Sequence, residues 1–212
     1  MCEGFSVRGR HLCEDMGLCL ASRSLSAPAQ KTARVSIPFS HGTLDFSSIN
    51  GEVYYEDRDL SYSFDMIAGS PRELESMVSD VTAWLAPVCG DELRDDDVPG
   101  YHWIVSAPSI SVSRDESGLA ATVEVAFSAY PFAMADDESR ASISVGVNPL
   151  VNKGGMRARL SVVPDGTVTI TIGTLRQTFN GPTATNLYLS PGTNEVEVSG
   201  GSALVSWREG IL

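Results

Sequence analysis

The sequence predicts a mainly β protein with a single helix, arranged in two domains. Three observations carry the prediction: period-two alternation over most of the chain, one segment with helical spacing, and a change of composition near residue 130. Val35-Ile37-Phe39 and Leu60-Tyr62-Phe64-Met66 read as strands that bracket a long polar segment with His41, Gly42, Asp45, Asn50 and Gly51. Strand connections usually take about 2 to 6 residues, so a longer one is functional or misread. Ser70-Pro71-Arg72-Glu73 opens the helix, with Ser as N-cap, Pro at the first helical position and Glu completing a capping box. Leu74, Met77, Val78, Val81, Trp84, Leu85 and Val88 follow as one apolar stripe that lies on a sheet, and Pro87 and Gly90 mark its end.

Ser109-Ile110-Ser111-Val112-Ser113 and Thr122-Val123-Glu124-Val125-Ala126-Phe127 alternate around the turn residues Asp115-Glu116-Ser117-Gly118, which is a hairpin signal. Ala129-Tyr130-Pro131-Phe132 closes a strand, and Ala135-Asp136-Asp137-Glu138-Ser139-Arg140 reads as a charged linker. Beyond it the helix signal vanishes. Ile143, Val145 and Val147 alternate with small polar residues, and Pro164-Asp165-Gly166 precedes Val168, Ile170 and Ile172. Leu187-Tyr188-Leu189, Glu195-Val196-Glu197-Val198 and the run from Ala203 to Trp207 finish the chain between Gly-rich turns. The domains are therefore expected at 1–134 and 141–212, the second small enough to lean on the first or on a partner.

The 212 residues, 42% hydrophobic and 20% charged, suffice for a sizeable core. No apolar run approaches 18 residues, so no membrane insertion is expected. The opening MCEGFSVRGRHLC lacks the basic-then-apolar layout of a secretory signal, which points to synthesis in a cytoplasm. A net charge of −12, from 27 acidic and 15 basic residues, argues against wrapping nucleic acid. It does not argue against nucleic acid passing nearby, because like charge prevents sticking. Cys2, Cys13, Cys19 and Cys89 form no CxxC pair, and the histidines lack metal-ligand spacing, so the thiols read as free and mostly buried.

Chemistry is sparsely signalled. There is no GxxxxGK[ST], HExxH or GxSxG. In an EF-hand loop starting at Asp95, Pro99 would fall at the fifth position, which needs an oxygen ligand, and Ser106 at the twelfth, which needs a Glu, so a solvated acidic turn is expected instead. Ser40, His41 and Asp45 are the residue types of a triad, yet adjacency in sequence does not support one, since triads assemble from distant segments. Glu124 lacks a recognisable partner carboxylate for glycoside hydrolysis. Tyr101, His102 and Trp103 are residues that can stack on a sugar, but aromatics at a strand start more often serve core or interface.

The order of features resembles the distal tail proteins of long, non-contractile-tailed bacteriophages. The matching pieces begin with residues 4–11 (GFSVRGRH), Met16-Gly17-Leu18-Cys19-Leu20 and Ser22-Arg23. Val35-Ser36-Ile37-Pro38, His41-Gly42-Thr43-Leu44-Asp45, and Tyr54, Glu56 and Arg58 leading into Leu60-Ser61-Tyr62-Ser63-Phe64 follow. After Trp84-Leu85, the acidic turn runs into Tyr101, and Val125-Ala126-Phe127 runs into Tyr130-Pro131-Phe132. Residues 191–196 (PGTNEV) and 207–212 (WREGIL) complete a resemblance that spans nearly the whole chain. The family often carries a charged pair where this chain has Phe39, Ser40 and His41.

The resemblance implies an N-terminal β-sandwich or split-barrel-like domain with one helix, similar to tail-tube subunits. A small C-terminal galectin-like β-sandwich follows it. It also implies a structural virion protein of a phage or prophage, not an enzyme, with no cofactor and no metal. Six copies would form the hub ring at the tail tip, between the tail-tube protein and the tail-associated fibre or lysin protein, with DNA passing through unbound. In that setting the stretch from Ser40 to Glu52 becomes an assembly loop ordered by a neighbouring subunit, with His41, Gly42, Leu44, Asp45, Asn50 and Glu52 as its interface residues. The alternative is a carbohydrate-binding β-sandwich module, motivated by Tyr188 and Trp207 read as exposed aromatics.

Overall fold

Every second residue of Arg58–Ile67 is apolar from Leu60 onward, and in the computed structural model Leu60, Tyr62, Phe64 and Met66 are buried while Asp59 and Asp65 are exposed. The structure describes residues 3–48 and 51–212. The chain divides into two units, Met1–Pro131 and Phe132–Leu212. The first holds β1 (Phe5–Val7), β2 (Arg10–His11), β3 (Cys19–Leu25), β4 (Arg34–Ser36), β5 (Thr43–Asp45) and β6 (Arg58–Ile67). Then come α1 (Pro71–Leu85), β7 (Cys89–Asp95), β8 (Tyr101–Arg114) and β9 (Ala120–Ala129).

One antiparallel sheet runs in the order β2-β1-β7-β8-β9-β6-β3, with β4 and β5 forming a separate two-stranded ribbon. Helix α1 covers the sheet's apolar face with Leu74, Val78, Val81, Trp84 and Leu85, while Met77 is half-buried. Its start follows the sequence: Ser70 Oγ accepts from Glu73 N at 3.3 Å, and Gly69 N donates to Glu73 Oε2 at 2.9 Å. Between helix and sheet, Phe5 lies 4.4 Å from Tyr62 and stacks on Trp84 at 5.7 Å, and Trp84 Nε1 donates to the Val7 carbonyl. Truncating such a central ring typically costs about 3–5 kcal/mol.

A bulge between Ser106 and Ser109, with Ala107 at φ +50°, reverses which side chains of β8 face outward. Trp103 and Val105 point inward before it; Ser109, Ser111 and Ser113 point outward after it. The β8–β9 hairpin closes as the sequence indicates, with Asp115 accepting from the Leu119 and Ala120 amides and Gly118 at φ +67°.

The second unit holds β10 (Ala133–Ala135), β11 (Ser139–Ile143), β12 (Gly146–Asn152), β13 (Ala158–Asp165) and β14 (Val168–Ile172). It continues through β15 (Leu175–Phe179), β16 (Thr183–Leu189), β17 (Gly192–Ser199), β18 (Ser202–Trp207) and β19 (Gly210–Ile211). Sheets β11-β18-β13-β16 and β12-β17-β14-β15 face each other across a core that includes Leu160, Val162 and Val205 from one and Val168, Ile170, Val196 and Val198 from the other. The molecule is thus mainly β with one helix.

Several sequence expectations change. Only Arg34–Ser36 is strand where Val35-Ile37-Phe39 alternate, because Pro38 starts a turn there. Ile143 and Val147 belong to strands of opposite sheets, not to one strand. Ser139 and Arg140, read as linker, open β11. Gly90 sits in a bulge of β7, with φ +74°, rather than ending the helix. Cys19 and Cys89 are free but exposed, and Cys13 is disulfide-bonded.

Candidate functional site

From 26 to 57 no described residue is buried. The chain leaves the sheet after β3 and returns at β6, where Ser26 N donates to the Asp59 carbonyl at 3.2 Å. Between these points it pairs with itself: Glu56 N donates to Ala29 O, Lys31 N to Tyr54 O, and Phe46 N to Ala33 O, each at 2.8 Å. Further out Arg34, Val35 and Ser36 face Asp45, Leu44 and Thr43. The long polar connection expected from the sequence is therefore an antiparallel β-arm. From the Gln30–Tyr55 bridge to the Ser36–Thr43 pair it extends about 20 Å at strand rise.

The arm is two-faced. Val35 lies opposite Leu44, and Ile37 and Phe46 follow at period two, so these four side chains share one face. Arg34 and Asp45 lie opposite each other on the reverse face and pair at 3.0 Å. Val35, Ile37, Phe39, Leu44, Phe46, Val53 and Tyr54 are each more than 40% exposed. An isolated two-stranded ribbon is marginally stable in water, so this exposed apolar face is a candidate interaction surface.

Pro38 and Phe39 occupy the centre of a turn closed by Ser40 N donating to Ile37 O. Phe39 has φ +64°, the left-handed value that such a turn normally gives to glycine. The conformation costs a bulky residue about 1–2 kcal/mol, while its ring contacts nothing at 110% relative exposure.

Of the six interface residues expected from the sequence, His41 and Gly42 lie just past this turn, Gly42 with φ +76°. Leu44 is on the apolar face and Asp45 on the reverse face. Glu52 lies nearer the base, accepting from the Tyr54 hydroxyl at 3.3 Å. Asn50 lies outside the described residues. Asp45 also accepts from Ser47 N at 2.9 Å, and its hydrogen bonds to Ser47 and Arg34 bring its carboxyl pKa down to about 2. No hydrogen bond between described residues links Ser40, His41 and Asp45. Apart from Leu44, the sequence reading did not single out the apolar members of the arm, because Val35, Ile37 and Phe39 alternate just as core residues do.

The open face of the sheet beside β3 has an unusual composition. Ser22, Ser24, Ser61, Ser63, Ser109 and Ser111 surround Glu124 and Ala126 around a recess of about 360 Å³. Arg23, at its edge, is committed to a salt bridge with Asp95 and to Asp97 at 2.6 Å. Asp95 is only 2% exposed and also accepts from the Tyr62 hydroxyl at 2.9 Å. Burial pushes its carboxyl above the usual range, against the opposing pull of Asp97 N, Tyr62 and Arg23. The acidic run is a solvated turn at Asp96 and Asp97, which are exposed, but not at Asp95, which ties β7 to β3 and β6; Asp96 accepts from Gly4 N at 2.7 Å. Among the described residues no group of three or more His, Cys, Asp or Glu is arranged to hold a metal ion.

The aromatic candidates separate. His102 and Trp103 are buried, with the Arg58 guanidinium 5.6 Å above the Trp103 ring. Trp207 is also buried, its indole N–H donating to Glu209 at 3.2 Å. Tyr188 is 40% exposed, across from Arg159, whose guanidinium reaches Asn186 at 3.5 Å.

No helix among the described residues is long and apolar enough to cross a membrane. No protein-family model and no curated protein sequence matches the chain. Among solved structures it is similar to the SPP1 Dit protein, described as a paradigm of the hub adsorption apparatus in Gram-positive-infecting phages. The TM-score is 0.76 at 12% identity, over 99% of each chain. A likeness to a chain of the phage P2 baseplate, in its activated conformation with Ca, has a TM-score of 0.41 at 7% identity and carries no weight here. Across its length the chain has the fold of the SPP1 Dit protein.

Proposed function

We propose that the chain is a structural subunit of a phage or prophage tail tip. Six copies assemble as a hub ring through the first unit, join the tail-tube protein to the tip fibre or lysin protein, and leave a channel for DNA. The observation that carries this reading is the β-arm: a ribbon whose apolar face, Val35, Ile37, Leu44 and Phe46, is left exposed by the described residues, with a reach of about 20 Å. A closed ring of identical subunits needs two different surfaces on each chain, and an arm supplies one of them. His41, Gly42, Leu44, Asp45, Asn50 and Glu52 belong to that contact together with Val35, Ile37, Phe39 and Phe46. The shared fold with a protein described as part of a hub adsorption apparatus supports the same role.

Domain 1–134 is the tail-tube-like ring former, and 141–212 is a galectin-like sandwich that projects from the ring. The charge distribution fits this division. Residues 1–131 carry 20 acidic and 9 basic side chains, net −11, leaving −1 for residues 132–212. A serine-covered face with Glu124 and no uncommitted Arg or Lys offers a passing phosphate backbone nothing to hold. The role requires neither enzyme chemistry nor a cofactor, and it locates the protein in the virion.

Excising the arm tests the reading. Replacing residues 29–56 by a short Gly-Ser linker should leave a folded chain that no longer assembles, as measured by sedimentation. Assembly that survives the excision contradicts the proposal. A second reading, a sugar-binding surface, has exposed Tyr188 beside Arg159 and Asn186 in its favour. A micromolar hit on a glycan array, lost in Tyr188→Ala, would carry it.

A further inference from the structure

In the proposed ring the arm meets a neighbour, and the first unit carries a surface suited to receive its tip. A knob without a hole stands at the arm tip. Phe39 is fully exposed in a backbone conformation unfavourable for its side chain, and His41 lies two residues on. A hole without a knob lies on the helix side of the first unit. Arg10, Met16, Leu18, Met77, Asp80 and Trp84 are among the residues lining a recess of about 470 Å³. Half-buried Met16 and Met77 line it above buried Leu18, Val81 and Trp84, and Arg10, Asp15 and Asp80 make its rim polar. Methionine is the apolar side chain best able to reshape around an aromatic ring, with favourable sulfur–ring contact.

The rims are also complementary. Asp80 is exposed and, among the described residues, neither Asp80 nor Arg10 is in an ion pair. A carboxylate beside the hole suits the imidazole carried next to the knob.

We propose that the arm tip of one copy seats Phe39 in this recess of the next copy, with His41 against Asp80. The proposal rests on the ring reading and specifies its contact. Because Phe39 and the recess are different surfaces of one chain, each copy gives a knob to one neighbour and receives one from the other. Such a contact is heterologous, the type from which a closed ring is built when the rotation between successive copies completes a turn.

Complementation between two full-length variants tests it. Phe39→Ala removes the knob and keeps the hole; Ala83→Arg obstructs the hole and keeps the knob. Ala83 is an exposed lining residue, so both substitutions leave the core intact, which circular dichroism verifies. Each variant alone should need about tenfold or more protein to assemble than wild type, as expected for loss of a buried aromatic anchor. An equimolar mixture should instead give dimers, since one knob and one hole remain between the two chains. If wild type assembles and both variants assemble equally well, or the mixture gives no dimer, the seating is wrong while the ring stands. If wild type itself never assembles, with or without the tail-tube subunit, the ring reading fails and this contact with it.

Discussion

Asp95 holds its buried carboxylate between Arg23 and Tyr62, so its removal leaves a guanidinium and a phenol without their shared acceptor. Asp95→Ala is expected to destabilise the first unit by roughly 3 kcal/mol, read from urea denaturation; a loss below about 1 kcal/mol would show that the latch is dispensable. Asp45 supplies a pH dependence of opposite character at an exposed site. Its folded pKa of about 2 lies below the ordinary 3.8, so its stabilising contacts are fully present above pH 4 and disappear as pH falls from 4 towards 2. Hydrogen exchange at the Ser47 and Ala33 amides should accelerate across that window, and Asp45→Asn should remove the transition. The acidic run also shows what a local reading misses. Three consecutive aspartates look solvated until Arg23, 72 residues away in sequence, is folded against the first of them.

At the scale of elements, the helix was readable from residues that act within one turn. Ser70, Pro71 and Glu73 set its start, and the apolar stripe set its buried face. Ser70→Ala should cost about 1 kcal/mol through loss of the N-cap, measured by thermal or denaturant unfolding. The β8–β9 hairpin was legible for the same reason. The arm was legible only as an anomaly of length. Alternation reveals that Val35, Ile37, Leu44 and Phe46 will share faces, but it does not reveal whether the surface covering them belongs to the same chain. The bulge at Ala107, which turns three serines outward, had no distinct signal, since a non-glycine residue occupies the left-handed position. Because no described residue of the arm is buried, replacing residues 29–56 by a linker should change the unfolding free energy of the first unit by less than about 1 kcal/mol. A larger loss would mean that the arm supports its own sheet.

At the scale of the whole molecule, the fold class was accessible because period-two patterning dominates the chain and only one segment departs from it. The sequence also pointed to the polar connection that the structure resolves into an arm, and to Leu44 within it, while the exposure of Val35, Ile37, Phe39 and Phe46 became visible only in the structure. In the proposed role the first unit, with its net charge of −11 and the exposed apolar face of its arm, is the ring-forming body. The central claim is assembly. Light scattering coupled to size-exclusion chromatography, on the full chain at high concentration and again with the tail-tube subunit, tests that claim most directly. A ring of six gives a species of about 136 kDa, six times the 22.6 kDa chain. A single species at 22.6 kDa under both conditions would contradict it.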